Sequence, residues 1–250
     1  MLERGDEIVD YIPGLPSTTI ANLPTILYGT GHQTLSRVLV AISLIPKSQY
    51  LLFTSVYELE SRVIDVFKAE FAFPVYAIGT NIPFLTLKDD SPTSKYLQWL
   101  DSQPKASVLY ISFGSFLSVS AAQMDELVAG VRNGSVPYLW VSRVEASWFK
   151  ESCEDRGLVI PWCDQLRVLC HPSIGGFLTH CRWNSTLEAV YVGVPTLTFP
   201  IFWDQVPNSK QLVEEWKMGS RVKSEVGTDQ PSVKERNCRD CAKLYEFGLQ

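Results

Sequence analysis

The chain is short of histidine and has no surplus of positive charge. Three His occur in 250 residues, and 22 Lys and Arg stand against 27 Asp and Glu for a formal net charge of −5. Such a balance makes no field that gathers nucleic acid, so no nucleic-acid partner is expected and an anionic ligand must be held by local donors. No segment reaches the roughly 18 apolar residues of a membrane span; the uncharged stretch between Asp10 and Arg37 is broken by Pro13, Pro16, Pro24 and Gly29. The N-terminus, Met1-Leu2-Glu3-Arg4-Gly5-Asp6-Glu7, lacks the apolar core of a secretory signal. These absences make no membrane association and a cytoplasmic location the expectation. No Asp-x-Asp pair occurs, so a metal-bridged phosphate site of that kind finds no support.

Six cysteines, Cys153, Cys163, Cys170, Cys181, Cys238 and Cys241, are too few and too irregular for a disulfide scaffold. Most are expected to be reduced and buried. Cys238 and Cys241 form a lone C-x-x-C, with neither a second pair at zinc-finger spacing nor a thioredoxin-like start. No metal and no cofactor is therefore expected, and a cysteine-based metal or redox module is the weakest reading. Neither internal repeats nor low-complexity tracts are visible.

What is present is an ordinary globular composition, 46% hydrophobic and 20% charged, in a chain long enough for one or two domains. From Ser107 onward, strands alternate with helices. Val108 to Ile111 reads as a buried strand; Ser120 with Gln123 forms a capping-box signature, and Met124, Leu127, Val128 and Val131 repeat at helical spacing. Pro137 to Val141, Leu158 to Ile160, Ile174 to Thr179 and Thr196 to Phe199 read as further strands, with helices from Asp164, Asn184 and near Gln205. The expected fold class is α/β, a doubly wound parallel sheet of Rossmann-like type, which binds ligands beyond the carboxyl ends of its strands. Earlier in the chain, Leu51 to Thr54 and Pro74 to Gly79 look like strands joined by a helix through Leu59, Val63, Ile64 and Phe67.

The segment from Trp162 to Gln205 concentrates the chemistry. His180-Cys181-Arg182-Trp183-Asn184-Ser185-Thr186 follows an apolar strand and opens a helical pattern through Leu187, Val190 and Tyr191. Free backbone N–H groups and the positive dipole end meet at such a helix start, so a phosphate can be held without metal or lysine. Asn184 and Ser185 add side-chain donors there. Glu188, a turn further on, can accept hydrogen bonds from paired ribose hydroxyls. Trp162 offers a flat face to a base, and Asp204 with Gln205 supply an acceptor and an amide suited to sugar hydroxyls. Base, ribose, diphosphate and sugar each find a partner, so the segment reads as a nucleotide-sugar site. Ser115, at a strand-to-helix turn, is either a further phosphate contact or a simple N-cap.

This segment resembles the signature box of plant secondary-product UDP-glycosyltransferases, family 1 of the two-domain GT-B transferases. The resemblance implies that Trp162 stacks on uracil, with Gln165 and the backbone around Cys163 at the nucleoside. It implies that His180, Asn184, Ser185 and the Trp183 backbone hold the diphosphate, that Glu188 holds the ribose, and that Asp204 and Gln205 hold glucose. The implied activity is inverting transfer of a hexose from UDP-glucose to a hydroxyl or carboxyl of a small-molecule acceptor. The chain would be the C-terminal half of the GT-B architecture with a remnant of the N-terminal domain: residues 1–79 the remnant, 80–105 the linker and 106–250 the donor-binding domain.

Two departures stand out. The family has a catalytic His in a Gly-His-x-x-Pro turn, and Gly31-His32-Gln33-Thr34 lacks the proline; no catalytic residue is assigned, and His32 is expected in a loop or at a helix start. A donor-binding fragment without turnover is the alternative reading. The family also usually has Gly where Arg182 stands, so Arg182 either crowds the turn or adds a cation beside the diphosphate.

Overall fold

The computed structural model describes residues 4–28, 32–82, 94–114, 121–134, 136–142 and 156–222. The chain divides into two units, Met1–Ile82 with Phe202–Pro207, and Pro83–Ile201 with Asn208–Gln250. In the first, β1 (Ile8–Val9) pairs antiparallel with β2 (Thr18–Thr19). Then follow α1 (His32–Ser43), β3 (Leu51–Phe53), α2 (Tyr57–Glu70) and β4 (Val75–Ala77). β3 and β4 run parallel with Leu51 opposite Val75, so the expected strand-helix-strand unit is present. Its apolar spacing has a visible purpose: Ile64 is buried, and Phe53, Phe67, Phe71 and Phe73 form a row with centroids 5.2, 5.9 and 4.9 Å apart. His32 opens α1, the helix-start placement.

The second unit contains α3 (Lys95–Asp101), β5 (Val108–Ser112), α4 (Ala121–Asn133), β6 (Tyr138–Val141), β7 (Gly157–Ile160), α5 (Gln165–Leu169), β8 (Ile174–Thr179), α6 (Trp183–Val192) and β9 (Thr196–Thr198). α7 (Gln205–Lys210), a π-helical turn (Gln211–Glu215) and β10 (Gly219–Arg221) follow. Six strands form a parallel sheet in the order β10-β9-β8-β5-β6-β7. All five strands read from the sequence are there. β10 is an addition: Gly-Ser-Arg has no strand signature, and its place is set by pairing with Thr196 to Thr198 of β9.

Because strand side chains alternate between faces, β5 feeds two cores. Leu109 and Ile111 pack with Leu127 and Val131 of α4, with Trp140 and with Leu178. Val108 and Tyr110 pack with Leu97 and Leu100 of α3, Val168 and Leu169 of α5, and Ala189 of α6. Helices thus cover both faces, as a parallel sheet of near-continuous apolar strands requires. α3 lies within the stretch 80–105 expected as linker. Leu100 is fully buried, so the second half of that stretch is core rather than connector, because Leu97 and Leu100 share one helix face. Cys163 and Cys181 are buried free thiols, as expected, but Cys170 is exposed. Cys153, Cys238 and Cys241 lie outside the described residues.

Candidate functional site

From β7 the chain returns through α5 to place β8 on the free side of β5, then moves outward to β9 and β10. β5 and β8 therefore flank the point where the winding reverses, and loops leaving neighbouring strands in opposite directions open a crevice there. Ser112 and Thr179 are register partners at the ends of these strands. Beyond them come Phe113-Gly114 and His180-Cys181-Arg182.

The loop after β8 is built around Cys181. Its backbone is left-handed, with φ 65°. Its N–H donates to Thr179 Oγ1 at 3.1 Å, and its carbonyl accepts from Asn208 Nδ2 at 2.9 Å. Arg182, at the N-cap of α6, is extended, with φ −66° and ψ 145°. Any residue adopts that conformation, so the expectation that Arg182 spoils the turn is not met: the turn's unusual torsion falls one residue earlier. α6 has no side-chain cap. Its first internal bond, from Thr186 N–H to the Arg182 carbonyl, is 2.9 Å, and the N–H groups of Trp183, Asn184 and Ser185 precede it without helical acceptors.

His180 is 3% exposed, and its Nδ1 is buried without a hydrogen-bond partner. Burial, helped by the nearby Arg182 charge, pushes the imidazole down to about 4, and the Ser112 backbone opposes this in part. The ring rests against Gly114, where a Cβ would lie 2.8 Å from His180 Nε2. Gly114 also has φ +71°. A neutral imidazole is therefore wedged at the end of β5 beside an open helix N-terminus.

Gln165 links the start of α5 to α6. Its Nε2 donates to Glu188 Oε2 at 2.7 Å and to Ser185 Oγ at 3.0 Å, while its Oε1 accepts from Tyr110 Oη at 3.3 Å. α5 starts where the sequence indicated, with Asp164 accepting from Arg167 N–H at 3.2 Å. Burial pushes the Glu188 carboxyl up, and the Gln165 hydrogen bond offsets part of that rise. Burial likewise pushes the Cys163 thiol up to about 11, which makes it a packing residue beside Tyr110 Oη at 3.4 Å. Tyr110 was read only as part of a buried strand; a tyrosine inside an apolar run was the available signal, because a buried hydroxyl needs a partner. Gly114 and Asn208 were also missed.

Trp162 is 64% exposed just ahead of α5, presenting a large aromatic face. Trp183 tilts against Trp216 with centroids 6.3 Å apart, and Asn184 is exposed. The structure thus groups Cys163, Gln165, Ser185 and Glu188 through one hydrogen-bonded cluster, and His180, Trp183 and Asn184 at the α6 mouth. Asp204 and Gln205 belong to the first unit. There Gln205 is 1% exposed and its Oε1 accepts from Phe202 N–H at 3.1 Å. Ser115 lies outside the described residues. His171 occupies the opposite end of β8, tied to Ser173 Oγ at 2.8 Å and Asp101 Oδ1 at 3.1 Å.

A parallel α/β sheet with a helix N-terminus at its winding reversal is the arrangement of a Rossmann-like fold. Comparison makes this specific. The family model described as UDP-glucoronosyl and UDP-glucosyl transferase matches residues 51–230. UDP-glycosyltransferases 87A2 and 87A1 of Arabidopsis thaliana are 50% and 52% identical over 220 residues, covering 87% of this chain and 48% and 50% of their own lengths. The structure of UGT2 from Phytolacca americana, complexed with UDP-2fluoro-glucose and pterostilbene, superposes with a TM-score of 0.77 at 27% identity, over 98% of this chain and 59% of that one. Os79 from O. sativa in complex with UDP gives 0.75 at 29% identity, over 90% of this chain and 56% of that one. The chain belongs to the plant family 1 UDP-glycosyltransferases. It spans about half the length of these relatives.

Proposed function

We propose that this chain forms the donor-binding part of an inverting UDP-glycosyltransferase, taking UDP-glucose as donor and a small molecule with a hydroxyl or carboxyl group as acceptor. The observation that carries the reading is the α6 mouth, where a helix start with no side-chain cap follows a buried imidazole whose Nδ1 lacks a hydrogen-bond partner. Uracil is assigned to the exposed face of Trp162 and ribose to Glu188, whose carboxylate is held in place by Gln165. The diphosphate is assigned to His180, Ser185, Asn184 and the Trp183 N–H, and the sugar to Asp204 and Gln205. Ser115 is proposed as a further phosphate contact. Two relatives support the donor assignment, being complexed with UDP-2fluoro-glucose and with UDP.

In the proposed reaction a base takes the acceptor's proton, the acceptor oxygen attacks the anomeric carbon, and the bond to the UDP oxygen breaks with inversion. The dipole end of α6 stabilises the charge that develops on UDP. The donors at that mouth are N–H groups and an imidazole rather than paired carboxylates, so the proposal uses no metal. It places the protein in the cytoplasm.

Donor binding without turnover is the second reading, favoured by the Gly31-His32 pair that lacks the proline of the family's motif. One experiment addresses both. Calorimetry with UDP-glucose and ADP-glucose should show preference for the uridine donor, and equal binding removes Trp162 from the base site. Incubation of the same chain with UDP-glucose and phenolic or terpenoid acceptors, read by mass, should then yield no glucoside at a useful rate under the second reading. Product lost in His32→Ala would make His32 the base.

A further inference from the structure

The residue at the N-cap of α6 is an arginine where the family's pattern has glycine, and the loop accommodates it without distortion. The left-handed position is Cys181, pinned through its N–H to Thr179 and through its carbonyl to Asn208. Arg182 follows in extended conformation and is exposed. It is thus neither a steric accident nor a buried packing residue.

Its electrostatic setting is unusual for a cation. An arginine at a helix N-terminus faces the positive end of the dipole, the opposite of the arrangement that stabilises helices. It also stands close enough to His180 to disfavour protonation of that ring. The N–H groups of the first turn and the Arg182 charge therefore adjoin one buried imidazole at the α6 mouth. In a chain of net charge −5, a bound dianion adds a group of opposite charge beside Arg182 at this mouth. Guanidinium suits the task, because its fork of donors matches two phosphate oxygens at once.

We infer that Arg182 is an additional ligand for the donor's diphosphate, contributed from the N-cap of α6 over the N–H groups that hold the same phosphates. The inference rests on the reading of that mouth as a nucleoside-diphosphate site. It makes donor binding here more dependent on ionic strength than in a chain with glycine at this position.

The test is calorimetry on the full chain and on Arg182→Gly, Arg182→Gln and Arg182→Lys, with UDP and with uridine, across a salt series. Thermal melts of each variant establish folding; an exposed, extended position should leave the midpoint unchanged. UDP affinity should fall roughly tenfold at low salt in the Gly and Gln variants, as expected for loss of a charge-assisted hydrogen bond. Lys should recover part of the loss, and uridine should bind all four proteins alike. The difference between wild type and Arg182→Gly should shrink as salt rises. UDP binding equal or tighter in Arg182→Gly, at every salt concentration, overturns the inference while leaving the diphosphate reading intact. A folded wild-type chain that binds neither UDP nor uridine overturns both.

Discussion

The unpartnered Nδ1 of His180 is a cost that the folded chain carries, on the order of 1–3 kcal/mol for a buried polar atom without a hydrogen bond, and the ring can be held there only by what surrounds it. Gly114 is the surrounding that matters most, since a Cβ there would sit 2.8 Å from Nε2 on a backbone already at φ +71°. Gly114→Ala should therefore displace the imidazole, lower stability by roughly 1–3 kcal/mol and weaken UDP binding at least severalfold. Denaturant unfolding and calorimetry on the same sample check the two effects. At this scale much was legible: Ser185 and Glu188 were named from their places on the helix and Gln165 from the family resemblance, and they meet in one cluster. What was not legible is who holds whom. Tyr110 lies far from Gln165 in sequence, and only the sheet brings its hydroxyl to 3.3 Å. Nor does sequence distinguish a glycine needed at position 182 from one that is dispensable there, because the φ of its neighbour Cys181 decides it.

Among elements, the pairing of β5 with β8 is the one on which the site depends, and its entry is tightly packed. The register shifts between Val108 and Leu109. Just there a Cβ on Gly175 would lie 2.1 Å from the Ala106 carbonyl oxygen, a backbone atom that cannot rotate away. Gly175→Ala should cost roughly 1–3 kcal/mol, seen as a lower urea midpoint with an unchanged slope. The residues of the proposed donor site are untouched by this change, so UDP affinity of the folded fraction should hold. The strands of this sheet and helices α4 to α6 were readable because both-face burial leaves continuous apolar runs and apolar residues recur at helical spacing, with Asp164 capping α5. β10 was not, since an edge strand of Gly, Ser and Arg owes its shape to its neighbour. α3 was hidden inside a stretch whose first part has linker composition.

For the whole molecule the clearest expectation concerns acid. The His180 imidazole is pushed from its ordinary 6.5 down to about 4 in the folded chain, so between those values the unfolded chain binds a proton that the folded chain refuses. Stability from this group is complete above pH 6.5 and declines as pH falls toward 4, by about 3 kcal/mol in all. Glu188, whose carboxyl is raised by burial, acts with the opposite sign, losing stability as pH rises above its ordinary 4.5, so it offsets part of the slope. Thermal midpoints at pH 7 and pH 5 should differ more in the native sequence than in His180→Gln; equal differences would show that the ring is not buried neutral.

The order of the strands has one more consequence, for synthesis rather than for catalysis. β5 is the first strand of this sheet to leave the ribosome, and β6 closes one of its edges next. The other edge waits for Ile174–Thr179, the last strand of the sheet's centre to be made. Until then a fully buried strand of the finished protein, Val-Leu-Tyr-Ile-Ser, offers a bare row of peptide groups to any extended chain that passes. The strand arrangement that creates the crevice between β5 and β8 thus also creates an interval in which the nascent protein is open to wrong pairing, and the arrival of β8 ends that interval and completes the crevice in one event.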